Sequence, residues 1–261
     1  MKSLQIAATG MAAQQMRVDV ISNNIANMST AAYRPRTAEF KDMMYQQHLT
    51  PGTITSQVGT MVPAGIQLGT GVKPSTVSME LTQGSLRETQ AELDMAIDGK
   101  GFFEITLPSG ESAYTRDGKF NRSPDGEIVT MDGFPLADGI VIPEDARKIS
   151  ISPDGEVVAY FEDQAAGQSV GTISLTRFVN EKGLEAVGDN LFRETEASGP
   201  PNQLVPSTEG VGMIRQGYLE DSGVDVVQEI SELIEAQRGY ELNSKVITAA
   251  DEMLAATTRV R

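Results

Sequence analysis

The sequence predicts an α+β protein: long N- and C-terminal helices pairing as a coiled coil, an extended connector, and a central, mainly β domain. Three observations carry this reading. Apolar side chains recur every seven residues at both ends of the chain, a spacing that keeps one stripe of a helix turned toward one neighbour. Between residue 93 and about residue 212 the apolar period falls to two, punctuated by Asp-Gly pairs, as in strands joined by tight turns. From residue 31 to residue 92 neither period lasts.

The first helix is expected over residues 1–30. Leu4, Met11, Val18 and Ile25 are spaced by seven, and Ala7, Gln14, Ile21 and Met28 follow each by three. This seam is narrow and partly small or polar, so such a helix has marginal stability alone. Asn27-Met-Ser-Thr30 and Pro35 should end it, because Asn, Ser and Thr favour turns and proline restricts the residue before it. The second helix is expected over residues 222–261. Val226, Leu233, Tyr240, Ile247 and Leu254 repeat by seven, with Ile230 beside the first turn and Val246, Met253 and Val260 forming a second row. Ser222-Gly-Val-Asp225 reads as a capping box with an acidic first turn. A helix of this length spans on the order of 50 Å, so its seam needs a partner.

The predicted assembly seam is therefore Leu4, Met11, Val18, Ile21 and Ile25 on the first helix, and Val226, Ile230, Leu233, Tyr240, Ile247 and Leu254 on the second. Residues 1–48 carry five basic and three acidic groups, and residues 215–261 five basic and nine acidic. Opposite signs fit pairing within one chain or between copies, with little energy in it. Gly10 and Gly239 fall inside the helices at a cost of about 1 kcal/mol each against alanine. A close helix–helix approach and a merely tolerated glycine account for them equally.

Residues 31–92 read as the connector. Breakers crowd residues 50–71, which an unstructured linker and a segment ordered by neighbouring copies explain equally; Val72 to Leu81 reads as extended. In the domain expected over residues 93–221, Phe103, Ile105 and Leu107 alternate with Phe102, Glu104 and Thr106, and Ile149/Ile151 and Ile173/Leu175 keep the same period. Ser-Pro-Asp-Gly occurs at 123–126 and again at 152–155, placing proline and glycine where tight turns accept them. Met213 to Leu219 reads as a returning strand.

Several chemistries are excluded. A net charge of −15 argues against a nucleic-acid backbone as partner. The absence of cysteine removes disulfides, thiolate metal sites and Cys nucleophiles, and one histidine, His48, offers no zinc cluster and no catalytic pair. No apolar run reaches the ~20 residues of a membrane span, and no Sec-type signal begins the chain. Export without a cleaved signal, or a cytosolic place, is the expectation. No Asp-Gly pair has calcium-loop spacing, and Gly99-Lys-Gly101 lacks the order of a phosphate-binding loop. Nothing singles out a carboxylate pair among 36 acidic residues, so a glycan-cleaving enzyme of the cell envelope stands only as the competing class.

Ser22-Asn-Asn-Ile-Ala-Asn27, followed by Ser29-Thr30 and Tyr33-Arg34, resembles the N-terminal motif of the bacterial flagellar basal-body rod and hook (axial) family, with Asn23, Asn24, Ile25, Ala26, Asn27 and Tyr33 at motif positions. Gln216-Gly-Tyr-Leu-Glu220 and the run from Val226 to Lys245, with Ala250-Asp-Glu-Met-Leu254, resemble its C-terminal helix. Asp98-Gly-Lys-Gly-Phe-Phe103, Ala113-Tyr-Thr-Arg-Asp-Gly118 and Gly69-Thr-Gly-Val72 are similar to the distal-rod branch, and the resemblance covers the whole chain. Ala32 stands where the family usually has glycine, and Gly223 and Gly239 where it has asparagine and alanine.

The resemblance implies a structural subunit of the distal rod, without catalysis, cofactor or metal. It implies unfolded export through the flagellar type III apparatus and polymerisation into a straight, rigid helical tube across the periplasm. That tube would transmit motor torque to the hook and serve as an export channel, its terminal helices forming the inner wall. Implied partners are further copies, proximal rod proteins, the hook protein, the outer-membrane and peptidoglycan ring proteins, the rod cap protein and the export apparatus, with no nucleic acid. Residues from about Glu39 to Val72 resemble the branch's own connector, implied to stiffen the assembly. A proximal-rod or hook paralogue is the nearer alternative.

Overall fold

The computed structural model describes residues 2–49, 65–162, 167–208 and 210–259. The chain forms two compact units: Met1–Ala26, Arg36–Met79 and Asp225–Arg261 make the first, and Asn27–Pro35 with Glu80–Val224 the second.

The first unit contains α1 (Lys2–Ala26), β1 (Arg36–Asp42), β2 (Gln46–Leu49), β3 (Ile66–Leu68), β4 (Val72–Met79) and α2 (Val226–Arg259). β1 pairs antiparallel with β4, with a register shift at Glu39/Phe40, and β2 pairs antiparallel with β3. The Met43 N–H donates to the Gly71 carbonyl at 2.9 Å between the two pairs. Much of the stretch read as a connector is thus a two-stranded ribbon. The expectation for residues 50–70 falls partly on residues 50–64, which lie outside the described residues.

An isolated two-stranded ribbon is marginal in water, and this one is fastened along α1. Asn24 does what a neighbouring strand would do: its Nδ2 donates to the Arg36 carbonyl at 2.9 Å and its Oδ1 accepts the Arg36 N–H at 3.0 Å. Further along, Thr9 Oγ1 accepts the Val72 N–H at 3.3 Å, and Gly71, at φ +125°, presses on Thr9 where any Cβ would collide with that hydroxyl. Lys2 Nζ donates to Gln46 Oε1 at 2.5 Å. The start of α2 differs from the capping box read in the sequence. Asp225 is itself the N-cap, its Oδ1 accepting the N–H groups of Val227 (3.0 Å) and Gln228 (3.2 Å). Ser222 Oγ accepts the Val224 N–H, at 3.4 Å, because α2 begins only at Val226.

The second unit holds β5 (Leu86–Glu88), β6 (Met95–Asp98), β7 (Phe103–Thr106), β8 (Ser112–Thr115), β9 (Phe120–Arg122), β10 (Ile128–Thr130), β11 (Ala146–Ile151) and β12 (Glu156–Phe161). It continues with β13 (Gln168–Thr172), β14 (Leu175–Arg177), β15 (Glu185–Gly188), β16 (Leu191–Arg193), β17 (Asn202–Leu204), β18 (Met213–Gln216) and β19 (Tyr218–Glu220). Its larger sheets run β15–β16–β8–β7 and β11–β12–β13. The period of two sorts adjacent side chains to two cores. Phe103 and Ile105 join Met95, Ile97 and Ile214 in the main one, whereas Phe102 packs with Tyr114 and Phe178 in a smaller aromatic cluster.

The two Ser-Pro-Asp-Gly turns adopt the same geometry. Ser123 and Ser152 each exchange hydrogen bonds within the turn, and Gly126 and Gly155 take φ of +86° and +84°. Each glycine carbonyl then accepts the N–H of an isoleucine, Ile142 at 2.7 Å and Ile173 at 2.8 Å. The returning strand read as Met213 to Leu219 is broken at Gly217 (φ +75°), so that β18 pairs with β6 and β19 with β5.

Candidate assembly interface

α1 and α2 pack antiparallel, and four contacts mark the line along which they meet. Gly10 faces Asn243, Gln14 faces Gly239, Arg17 Nη2 reaches Glu232 Oε2 at 3.2 Å and Glu235 Oε2 at 3.8 Å, and Asn24 Nδ2 donates to Glu229 Oε1 at 2.8 Å. From Gly10 to Gln14 to Asn24 α1 advances by the same steps by which α2 runs back from Asn243 to Gly239 to Glu229. The Gln228 amide, and after it Arg17, hold the Glu232 carboxyl below its ordinary value against the opposing effect of burial. Fully buried positions on the two helices are small or polar: Ala7, Ala13 and Asn24 beside Ile21 on α1, and Ala236 and Ala250 on α2.

The glycines are therefore close-approach positions. A Cβ on Gly10 would come within 3.0 Å of the Asn243 amide, and one on Gly239 within 3.1 Å of the Gln14 amide carbon. Neither helix could carry a larger residue there without moving its neighbour.

The predicted seam lies beside this line. Ile21 is buried; Leu4, Met11, Val18, Ile25, Val226, Leu233 and Ile247 are half-buried; Ile230, Tyr240 and Leu254 are exposed. Within one chain, then, these side chains flank the helix contact and do not fill it. The reason is steric: backbones that approach over Gly10, Gly239 and Ala236 leave no room on the contact line for leucine or tyrosine. At about 103° per residue in a seven-residue repeat, the row Val226–Leu233–Tyr240–Ile247–Leu254 sits about 50° from the Ala236 line. The row Leu4–Met11–Val18–Ile25 is turned by the same amount and in the same sense from the Ala7–Gln14–Ile21 line. In an antiparallel pair equal turns put both rows on one shoulder, which becomes an apolar trough half open to water. Hydropathy periodicity marked the apolar rows; Gly10 stood out only as a glycine inside a helix and Asn24 only as a motif residue, while Arg17, Glu229, Ala236 and Asn243 were missed. Their own spacing by seven was the available signal.

The family-motif residues do different work. Asn24 is buried, Ile25, Asn27 and Tyr33 are half-buried, and Asn23 and Ala26 are exposed. Asn27 forms the turn after α1, its carbonyl accepting the Thr30 N–H at 3.1 Å and its Oδ1 the Thr30 hydroxyl at 3.2 Å. In the second unit the segment that follows is clasped to β19. The Ala32 N–H donates to the Glu220 carbonyl at 2.8 Å, and the Tyr33 carbonyl accepts the Gly223 N–H at 3.0 Å. Ala32 takes φ +54°, a left-handed geometry that glycine adopts without the Cβ clash, and the clasp holds it there.

Beneath the clasp lies a charged cluster that sequence reading missed. Glu220 Oε2 accepts from Arg116 at 2.9 Å, while its Oε1 meets Arg34 Nη2 at 3.3 Å and accepts the Gly84 N–H at 3.1 Å. All three side chains are almost fully buried. Arg116 spends its remaining N–H groups on the carbonyls of Gly101, Gly99 and Ile97, and Arg34 donates to the Thr82 carbonyl. Burial and the neighbouring Arg116 charge pull Arg34 below its ordinary value, and Glu220 opposes them. The arrangement is a structural joint, with both guanidinium groups engaged by the Glu220 carboxylate and by main-chain carbonyls.

Comparison with known proteins agrees with this picture of a building block. Residues 4–34 match the family described as "Flagella basal body rod protein", residues 96–159 the "Flagellar hook protein FlgE/F/G D1 domain", and residues 215–260 the "Flagellar basal body rod FlgEFG protein C-terminal". The flagellar basal-body rod protein FlgG of Caulobacter vibrioides is 51% identical over 261 residues, covering 100% of both chains. FlgG of Agrobacterium fabrum is 46% identical over 99% of each chain, and that of Buchnera aphidicola subsp. Acyrthosiphon pisum is 44% identical over 97% of this chain and 96% of its own. The chain belongs to the FlgG family of flagellar basal-body rod proteins, structural subunits of the distal rod and not enzymes.

Proposed function

We propose that copies of this chain polymerise into a straight, rigid helical tube that carries torque from the motor to the hook and leaves an axial channel for export. In this reading α1 and α2 form a coiled coil of the inner wall, and the trough on its shoulder receives a helix of a neighbouring copy. The observation that carries it is the half-open apolar trough itself. A pair of helices closed upon themselves would have turned those side chains inward, since burying such a side chain fully is worth about 1.5–3 kcal/mol. Leu4, Met11, Val18, Ile21 and Ile25 with Val226, Ile230, Leu233, Tyr240, Ile247 and Leu254 are the proposed assembly seam.

The stretch from about Glu39 to Val72 stiffens the wall. Partners at the ends and around the tube are proximal rod proteins, the hook protein, the rod cap and the outer-membrane and peptidoglycan rings. The subunit reaches the periplasm through the flagellar export apparatus. Leu233→Asp tests the seam, because a carboxylate in the trough cannot be buried by a neighbour. Export of the variant should continue while rod assembly and motility are lost. Normal motility would remove Leu233 from the seam.

A further inference from the structure

The helix pair has two ways to meet. One places the rows of Leu4 and Leu233 on the contact line and closes the trough. The other, which the structure adopts, is rotated by about 50° on each helix and keeps the trough open. Hydropathy favours the first, so something local must favour the second.

The notches identify it. Gln14 sits over Gly239 and Asn243 over Gly10, a reciprocal pair one turn apart on each helix, with the amide atoms 3.0–3.1 Å from where a Cβ would stand, tighter than ordinary van der Waals contact. Asn243 is held in place by donating from Nδ2 to the Gly239 carbonyl at 3.0 Å. Gln14 Oε1 is buried and accepts no hydrogen bond from the described residues. An orphaned buried acceptor and two helix-interior glycines all work against stability. Groups retained at such a cost are those that select one packing over another. Rotation to the closed alternative would carry both glycines off the contact line and leave the amides facing full-sized side chains.

We propose that the Gln14–Gly239 and Asn243–Gly10 notches are the rotational lock of the helix pair, holding α1 and α2 in the setting that withholds the apolar trough from the chain's own interior and keeps it free for a second copy. The lock concerns the single chain; only its purpose rests on the polymer reading above.

The chain has no cysteine, so single cysteines report the rotation directly in the full-length monomer. Tyr240→Cys sits on the exposed shoulder and Ala236→Cys on the buried line. Without further change, alkylation should be fast at position 240 and slow at 236. In a Gly10→Ala/Gly239→Ala background, which raises helix propensity, the rate at 240 should fall at least tenfold and that at 236 rise by a similar factor. A Gln14→Leu/Asn243→Leu background should do the same. Unchanged rates in both backgrounds would overturn the lock, whatever happens to assembly. Swapped rates with undiminished filament formation would uphold the lock and refute the trough as the assembly surface.

Discussion

Glu220 answers two guanidinium groups at once, and the consequences of removing it are large. Arg34 and Arg116 cannot leave the interior when their counter-charge goes, so Glu220→Gln should destabilise the second unit by about 3–5 kcal/mol in urea unfolding. Asp221 provides the contrast. It pairs with Arg87 at 2.9 Å with both side chains well exposed, so Asp221→Asn should change stability by no more than about 1 kcal/mol. Equal effects would mean that the buried cluster is not the joint described. Ala32 shows the same logic in backbone form. Its left-handed geometry costs about 1–2 kcal/mol, which the bond from its own N–H to the Glu220 carbonyl and the bond that the Tyr33 carbonyl accepts from Gly223 offset.

At the scale of elements, the start of α2 separates two readings of four residues. A capping box would make Ser222 the cap; the structure gives that role to Asp225. Asp225→Ala should therefore cost about 1 kcal/mol and speed amide exchange in the first turn of α2, whereas Ser222→Ala should leave both unchanged. The reverse result would restore the capping box. The ribbon shows how an element without a core of its own is kept. It borrows α1 as a supporting layer through Asn24, Thr9 and Lys2, which are polar pins with fixed partners.

For the molecule as a whole, the division of charge matters more than its total. The second unit carries 12 basic and 26 acidic residues, and the first 9 basic and 10 acidic, so nearly all of the net −15 lies on the second. In the proposed polymer, copies joined through their helices would bring these acidic units close, and the repulsion is screened over about 10 Å at 0.1 M salt. Raising ionic strength from about 0.02 M to about 0.2 M should therefore lower the protein concentration at which filaments appear. A rise in that concentration, followed by light scattering, would show that attraction between unlike charges governs assembly instead.

The sequence by itself determined the two terminal helices, the β region between them and its two Ser-Pro-Asp-Gly hairpins, because each rests on local periodicity or on a residue's own backbone preference. It also marked the apolar rows at both ends. What only the tertiary structure decided was how those rows are used. Which stripe of a helix meets its partner depends on how closely two backbones can approach, and that was set by Gly10, Gly239, Ala236 and two amides that no hydropathy scale ranks highly. The Arg34–Glu220–Arg116 joint was invisible for the same reason. Its members lie 82 and 104 positions apart and resemble any surface charges until the fold removes water from all three at once.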